Sequence, residues 1–194
     1  MTDRKIRLPS DPLARRTAML VIIACATIAA GAALLILTWI VSGDLEAETV
    51  AAAAVLFAAL AGIVFLALRG GERAALIVLS ALLFLLVAAD LYEYGLHSSM
   101  AAAFLIPVLL LTCGSGMRAG IAAAFLCSAF GWILAAGENA GWLPVPYAAD
   151  ISHLTFDAPA LTVIYLMFAV LAGYGTDSHL RKESRTGSPA GEES

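Results

Sequence analysis

Residues 17–43 read TAMLVIIACATIAAGAALLILTWIVSG, a stretch without a single Asp, Glu, Lys or Arg. A bilayer has a hydrocarbon core about 30 Å thick, which a helix of about 20 apolar residues can cross. The stretch follows several basic residues, as a signal peptide would. Its apolar part, 18–41, is however longer than the roughly 7–15 residues of a signal's hydrophobic region. We therefore predict that residues 18–41 form a first transmembrane helix.

Five further stretches lack charged residues altogether: 49–68, 74–89, 94–117, 119–137 and 158–176. A transmembrane β-barrel would instead show alternating segments of about 10 residues. We predict an all-α polytopic membrane protein with six transmembrane helices, at approximately 18–41, 49–68, 74–92, 98–113, 118–136 and 158–176. A basic cytoplasmic segment, 1–17, precedes this 18–176 bundle, and a polar disordered cytoplasmic tail, 177–194, follows it.

Composition excludes several classes of protein. The 194 residues are 61% hydrophobic and 13% charged, whereas soluble domains carry about 25% charged residues. This composition therefore excludes a secreted disulfide scaffold, a disordered chain and a cytosolic enzyme. Nucleophile–base motifs, H-E-x-x-H pairs and phosphate loops are absent, and Cys25, Cys113 and Cys127 form no C-x-x-C pair. We expect no enzymatic activity and no cofactor.

The distribution of Lys and Arg predicts the orientation. All 11 basic residues fall in segments 1–17, 69–73, 114–118 and 177–194, and none falls in 42–49, 90–99 or 137–158. Short cytoplasmic loops of membrane proteins are enriched in Lys and Arg. Both termini are therefore predicted to be cytoplasmic, in a multi-pass protein of the cell (bacterial inner, or plasma) membrane. Its expected partner is the lipid bilayer, and nothing in the sequence favours nucleic acid.

Acidic residues and histidines concentrate in the predicted outer segments. We predict that six of them form a ligand-binding outer cup: Asp90, Glu93, His97, Asp150, His153 and Asp157. The first three would share one helix face, because they are spaced by three and four residues. No metal site is predicted, although His97 and His153 could contribute to zinc binding or proton sensing. The alternative is that these six residues bind no ligand and form a solvated acidic rim.

Proline and small residues predict details of the packing. Pro107 should kink the fourth helix, because it removes a backbone hydrogen bond. Two rows of small residues, which allow close helix approach, lie on the first two helices: Ala26, Ala30 and Ala33, and Ala54, Ala58 and Gly62. We expect these rows to pack the helices within the chain, with a homodimer as the alternative. Gly173 and Gly175 should weaken the end of the sixth helix.

The second half resembles a known kind of module. Residues 106–111 (IPVLLL), 114–120 (GSGMRAG) and 136–144 (AGENAGWLP) are similar to the N-terminal multi-helix membrane sensor modules of bacterial sensor histidine kinases and diguanylate cyclases. In such modules the last helix leads through a basic exit to a cytoplasmic output domain, and Leu180, Arg181 and Lys182 would form that exit. Residues 1–194 contain no sequence typical of such an output domain. The Gly173–Gly175 pair also departs from the continuous signalling helix of these modules.

The resemblance implies a sensor-like protein that passes an outer-face or lipid-borne signal to a cytoplasmic kinase or cyclase partner. A small transporter or channel is the alternative, in which Ser80, Ser128, Thr162 and Tyr165 would line a polar path. A further alternative is an accessory subunit of a membrane complex, in which the small-residue rows would contact another chain.

Overall fold

A computed structural model describes residues 12–42, 47–96, 99–142 and 157–186. Its helices are α1 (Pro12–Ser42), α2 (Ala47–Leu68), α3 (Glu72–Tyr94), a 3-10 helix (Ser99–Phe104), α4 (Leu105–Ser115), α5 (Met117–Asn139) and α6 (Ala158–Thr186). The described part of the chain contains no strand. Five helices, α1, α2, α3, α5 and α6, are long and apolar enough to cross a membrane. The prediction of an all-helical, multi-pass membrane protein is confirmed at this level.

The fourth predicted span, 98–113, differs from the other five. It consists of the 3-10 helix followed by the 11-residue α4, and its apolar part, Met100–Ser115, is shorter than the five long helices. Pro107 lies in the first turn of α4, where its missing N–H is not needed. Its ring would clash with an α-helical turn just before it. The structure therefore shows a change of helix type ahead of Pro107, where we expected a kink within one long α-helix.

The chain divides into two compact units, Met1–Ala81 and Leu82–Ser194. In the first unit α1 packs against α2, and Val21, Cys25, Leu60 and Ile63 are buried. The small-residue rows that we expected to pack these helices are exposed: Ala26, Ala30, Ala33, Ala54, Ala58 and Gly62. Other residues of α1 and α2 are buried instead, so the expected close packing at these six positions is not observed in the first unit.

In the second unit α4, α5 and α6 pack against one another. Four aromatic rings, Phe84, Phe104, Phe130 and Tyr165, form neighbouring pairs with centroids 5.2–6.3 Å apart. Most of these pairs meet edge to face, the arrangement that aromatic quadrupoles favour. The rings come from α3, the 3-10 helix, α5 and α6, so this cluster joins four elements.

Two glycines allow close contacts in this unit. Gly116, with φ of 92°, forms the single-residue connection between α4 and α5. Gly173 is buried on α6, and a β-carbon there would lie 2.7 Å from the Met117 β-carbon of α5. The expected interruption is absent, since α6 continues through Gly173 and Gly175. At Gly173 the missing side chain allows α6 to pack closely on α5.

α6 continues to Thr186, past the predicted end of the span at residue 176. The first part of the segment that we predicted to be a disordered tail is therefore helical. Leu180, Arg181 and Lys182 all have high helix propensity, so the helix can extend beyond its apolar part.

Candidate functional site

Four carboxylates lie where α3 and α5 end and α6 begins. We call this set the carboxylate end, and it comprises Asp90, Glu93, Glu138 and Asp157. Asp90 and Glu93 lie in the last two turns of α3, Glu138 lies in the last turn of α5, and Asp157 immediately precedes α6. A hydrogen bond between Leu96 and Glu138 and a small apolar cluster bring these helix ends together.

The end of α3 turns sharply at a glycine. Gly95 has a φ of 72°, a value that glycine adopts without steric cost. Its amide donates to the Leu91 carbonyl at 2.8 Å, which closes the last turn of α3. The next amide, that of Leu96, donates to Oε1 of Glu138 at 2.9 Å. A side chain of α5 therefore caps the chain as it leaves α3.

Glu138 is almost completely buried, with 6% of its surface exposed. Burying a carboxylate is costly unless it accepts hydrogen bonds, and the Leu96 amide supplies one. A buried peptide N–H likewise needs an acceptor. The two groups therefore depend on each other, and their contact joins α3 to α5.

The end of α5 is itself held by a regular capping motif. The Gly141 amide donates to the Glu138 carbonyl at 3.1 Å, and the Trp142 amide donates to the Gly137 carbonyl at 2.9 Å. Gly141 has a φ of 70°. These features define a Schellman motif. The motif fixes the last turn of α5 and with it the position of the Glu138 side chain.

A small apolar cluster brings the start of α6 to the same place. Leu96, Ala135 and Ala158 are buried together, and Leu161 packs against them. These residues come from the turn after α3, from α5 and from α6. The carboxylate end is therefore built on a junction of three helices.

The structure locates three of the six residues predicted to form the outer cup. Asp90 is half-buried, and Glu93 and Asp157 are exposed. His97, Asp150 and His153 lie outside the described residues. Within the described ranges no group of three or more His, Cys, Asp or Glu residues is arranged to hold a metal ion.

Glu138 is an important residue that is not among the six predicted to form the outer cup. It follows the predicted fifth span and there resembles an ordinary loop acid. Its one sequence signal is its position between Gly137 and Gly141, since a helix ending at such a glycine has a fixed last turn. Its partner, Leu96, is 42 residues away, and no local pattern reveals that contact.

The hydroxyl groups considered for a polar path bond to the main chain in the second unit. Tyr165 Oη donates to the Ala101 carbonyl at 2.5 Å, and Ser128 Oγ donates to the Ala124 carbonyl at 2.7 Å. Thr162 Oγ1 donates to the Ala158 carbonyl at 2.8 Å and accepts from Trp132 Nε1 at 3.2 Å. The hydroxyls of Tyr165 and Thr162 thus link two helical elements, whereas that of Ser128 bonds within its own helix.

Ser80 differs from these three, because its buried Oγ has no hydrogen-bond partner. It belongs to the first unit, Met1–Ala81.

Comparison with known proteins adds no relative to this description. No protein-family model matches the chain, and no curated protein or solved structure matches it.

Proposed function

We propose that the chain is a non-enzymatic, sensor-like membrane protein. Six spans place both termini in the cytoplasm, and a signal at the carboxylate end, or one carried by the lipid, passes along α6 to a cytoplasmic kinase or cyclase. The observation that carries this proposal is the course of α6. It begins in the cluster of Leu96 and Ala135, next to Glu138, and continues without interruption to Thr186.

The helix ends support the proposed orientation. Arg69 and Arg73 flank the connection between α2 and α3, and Arg118 lies at the start of α5. Acidic residues lie at the opposite ends of α3 and α5, at positions 93 and 138. This arrangement agrees with a cytoplasmic location for the basic connections. Reporter fusions at residues 70, 116 and 142 test it, and the first two should report the cytoplasm.

α6 is suited to relay a movement because its packing continues along the unit. Tyr165 bonds to the 3-10 helix, Gly173 contacts Met117, and residues 177–186 extend the same helix. A helix moves as a rigid element over such a length, and two discrete arrangements of one element are what signal relay requires.

A complementation experiment tests the sensory role. Cells that lack the chain are supplied with the wild type, with a triple variant (His97→Ala, Asp150→Ala and His153→Ala), or with the control Glu48→Ala, an exposed acid at the start of α2. Transcript levels and protein phosphorylation are then compared. We expect deletion to change a defined set of transcripts, and the wild type and the control to restore it.

The triple variant should fail to restore that set. Full restoration by the triple variant would remove the outer cup from the proposal. A deletion without effect on transcripts or phosphorylation would overturn the sensory role itself. A deletion that changes solute uptake but neither transcripts nor phosphorylation would favour the alternative function of a small transporter.

The exposed small residues favour a second candidate, an accessory subunit of a membrane complex. Ala54, Ala58 and Gly62 are exposed on α2, and a β-carbon at Gly62 would meet no atom within 4 Å. Rows of this kind allow close approach of another helix in a membrane. Gly62→Leu should then dissociate a complex seen by native electrophoresis, whereas Val55→Leu, at an exposed position of the same helix, should leave it intact.

A further inference from the structure

An open groove of about 510 Å³ runs between α1 and α2 in the first unit. We call it the α1–α2 groove. Its walls are formed by α1 residues between Ile22 and Ala29 and by α2 residues between Phe57 and Leu68, all of them apolar or, at Cys25, a thiol. Alanines at positions 26, 29 and 61 lie among the larger side chains, and their small size leaves the space.

The length of the groove matches one leaflet of a bilayer. From Phe57 to Leu68 the axis of α2 rises about 16 Å, and half of the hydrocarbon core is about 15 Å thick. A groove in a membrane-spanning helix pair is filled by apolar groups, because unfilled space loses dispersion contacts. An acyl chain has the length and the apolar character to occupy it.

One end of the groove carries a positive charge. Arg69 directly follows Leu68, and its guanidinium carbon lies 4.1 Å above the centre of the Phe65 ring. Phe65 itself lines the groove. This cation–π contact holds the guanidinium beside the opening, and Arg69 is exposed. A guanidinium presents several N–H donors in a fork that suits phosphate.

Other basic residues reinforce this end. α1 and α2 are joined by a short connection and pack along each other, so they are antiparallel. Arg15 and Arg16 at the start of α1 therefore share an end with Arg69, and both are exposed. Glu72 is the described acidic residue nearest in sequence to Arg69. Together, Arg15, Arg16, Arg69 and Glu72 carry a net positive charge.

We propose that the α1–α2 groove binds one acyl chain of an anionic membrane phospholipid, whose phosphate contacts Arg69. The apolar walls hold the chain and the guanidinium selects the headgroup. A helix from a second copy could fill the apolar part, but it would not account for the stacked arginine at the opening. The site does not depend on a sensory role for the protein.

Native mass spectrometry of the full chain in detergent tests the site with two added lipids of identical acyl chains, phosphatidylglycerol and phosphatidylcholine. The wild type should retain one phosphatidylglycerol, and should bind it about fivefold more tightly than phosphatidylcholine, as expected for one basic residue at an anionic headgroup. Arg69→Gln should remove most of that preference, because Arg15 and Arg16 precede the part of α1 that lines the groove. The matched control Arg118→Gln, an exposed arginine on α5, should keep it.

Filling the groove should remove both lipids. Ala61→Phe places a ring in the groove and should weaken the binding of either lipid by about tenfold, whereas Ala54→Phe, an exposed alanine of α2 outside the groove, should not. If Ala61→Phe loses helicity by circular dichroism, Ala26→Leu repeats the test from an exposed lining position on α1.

Three results would overturn the proposal. The first is the absence of a preference for phosphatidylglycerol, or a preference that Arg69→Gln leaves unchanged. The second is the same loss of lipid in the Ala54→Phe control as in the groove variants. The third is a lipid-free dimer that dissociates when the groove is filled, since it would show that a second copy of the chain occupies the groove.

Discussion

Glu138 accepts a hydrogen bond from the main-chain amide of Leu96, and both residues are buried. Glu138→Ala should leave that amide without an acceptor and lower the free energy of unfolding by about 1–3 kcal/mol. Glu138→Gln keeps a side-chain oxygen at the same place and should cost less. SDS-driven unfolding of the detergent-solubilised chain, followed by circular dichroism, measures both changes.

Glu93→Ala is the control for this prediction, because Glu93 is an exposed acid at the end of α3. Its effect should stay within about 0.5 kcal/mol, as for most surface substitutions. Equal effects of Glu93→Ala and Glu138→Ala would contradict the capping role of Glu138.

Gly120 provides a second prediction. A β-carbon at this position would overlap Oγ1 of Thr112 and lie 2.8 Å from its β-carbon. Thr112 is fully buried and its hydroxyl is bonded to the Val108 carbonyl, so it has little room to move. Gly120→Ala should therefore force α4 and α5 apart and cost about 1–3 kcal/mol, measured by the same unfolding assay.

Gly131→Ala is the matched control for Gly120→Ala, since Gly131 is buried on the same helix but a β-carbon there would meet no atom within 4 Å. It should leave stability unchanged or raise it by up to about 1 kcal/mol, because alanine is the better helix former. A more harmful substitution at Gly131 than at Gly120 would refute the close contact of α4 with α5.

α6 offers a third comparison between two neighbouring glycines. Gly173→Ala would bring a β-carbon within 2.7 Å of Met117, whereas Gly175→Ala meets no atom within 4 Å. The β-carbon of Met117 cannot move away without its main chain, so Gly173→Ala should cost about 1–2 kcal/mol. Gly175→Ala should be neutral or stabilising. Thermal unfolding in detergent separates the two. Similar melting temperatures for both variants would argue against the α5–α6 contact.

The fourth prediction concerns Tyr165. Tyr165→Phe removes the hydroxyl that donates to the Ala101 carbonyl and should cost about 1–2 kcal/mol, because the buried carbonyl loses a donor. Tyr174→Phe, at a position that is 68% exposed on the same helix, should have no measurable effect. Urea-assisted unfolding in mixed micelles would reveal the difference. An unchanged stability for Tyr165→Phe would show that the bond contributes nothing.

The sequence predicts the long helices well because the residues that end them are charged or glycine. The predicted span 118–136 lies within α5, Met117–Asn139, and 49–68 nearly coincides with α2, Ala47–Leu68. Apolar composition decides these elements locally. It does not decide where a helix stops once it has left the apolar part, and α6 therefore extends to Thr186 beyond the predicted boundary.

The candidate site could be predicted only in part. Asp90, Glu93 and Asp157 follow from their spacing at the predicted outer boundary, but the role of Glu138 depends on a contact with Leu96 across 42 residues. Burial of a carboxylate is a tertiary property, and a single acid near a span end carries no pattern that reveals it. The requirement for glycine at position 120 but not at position 131 is likewise a tertiary property. A β-carbon at Gly120 would overlap Thr112 of the neighbouring helix, whereas one at Gly131 would meet no atom within 4 Å.

The 3-10 helix before α4 has a consequence for the thickness of membrane that the segment can match. A 3-10 helix rises about 2.0 Å per residue, whereas an α-helix rises about 1.5 Å. Placed end to end, the 6-residue 3-10 helix and the 11-residue α4 would extend about 28 Å, compared with about 26 Å for an α-helix of equal length. The hydrocarbon core is about 30 Å thick. Tighter winding ahead of Pro107 thus lengthens the shortest apolar segment toward the thickness that its neighbours reach with more residues.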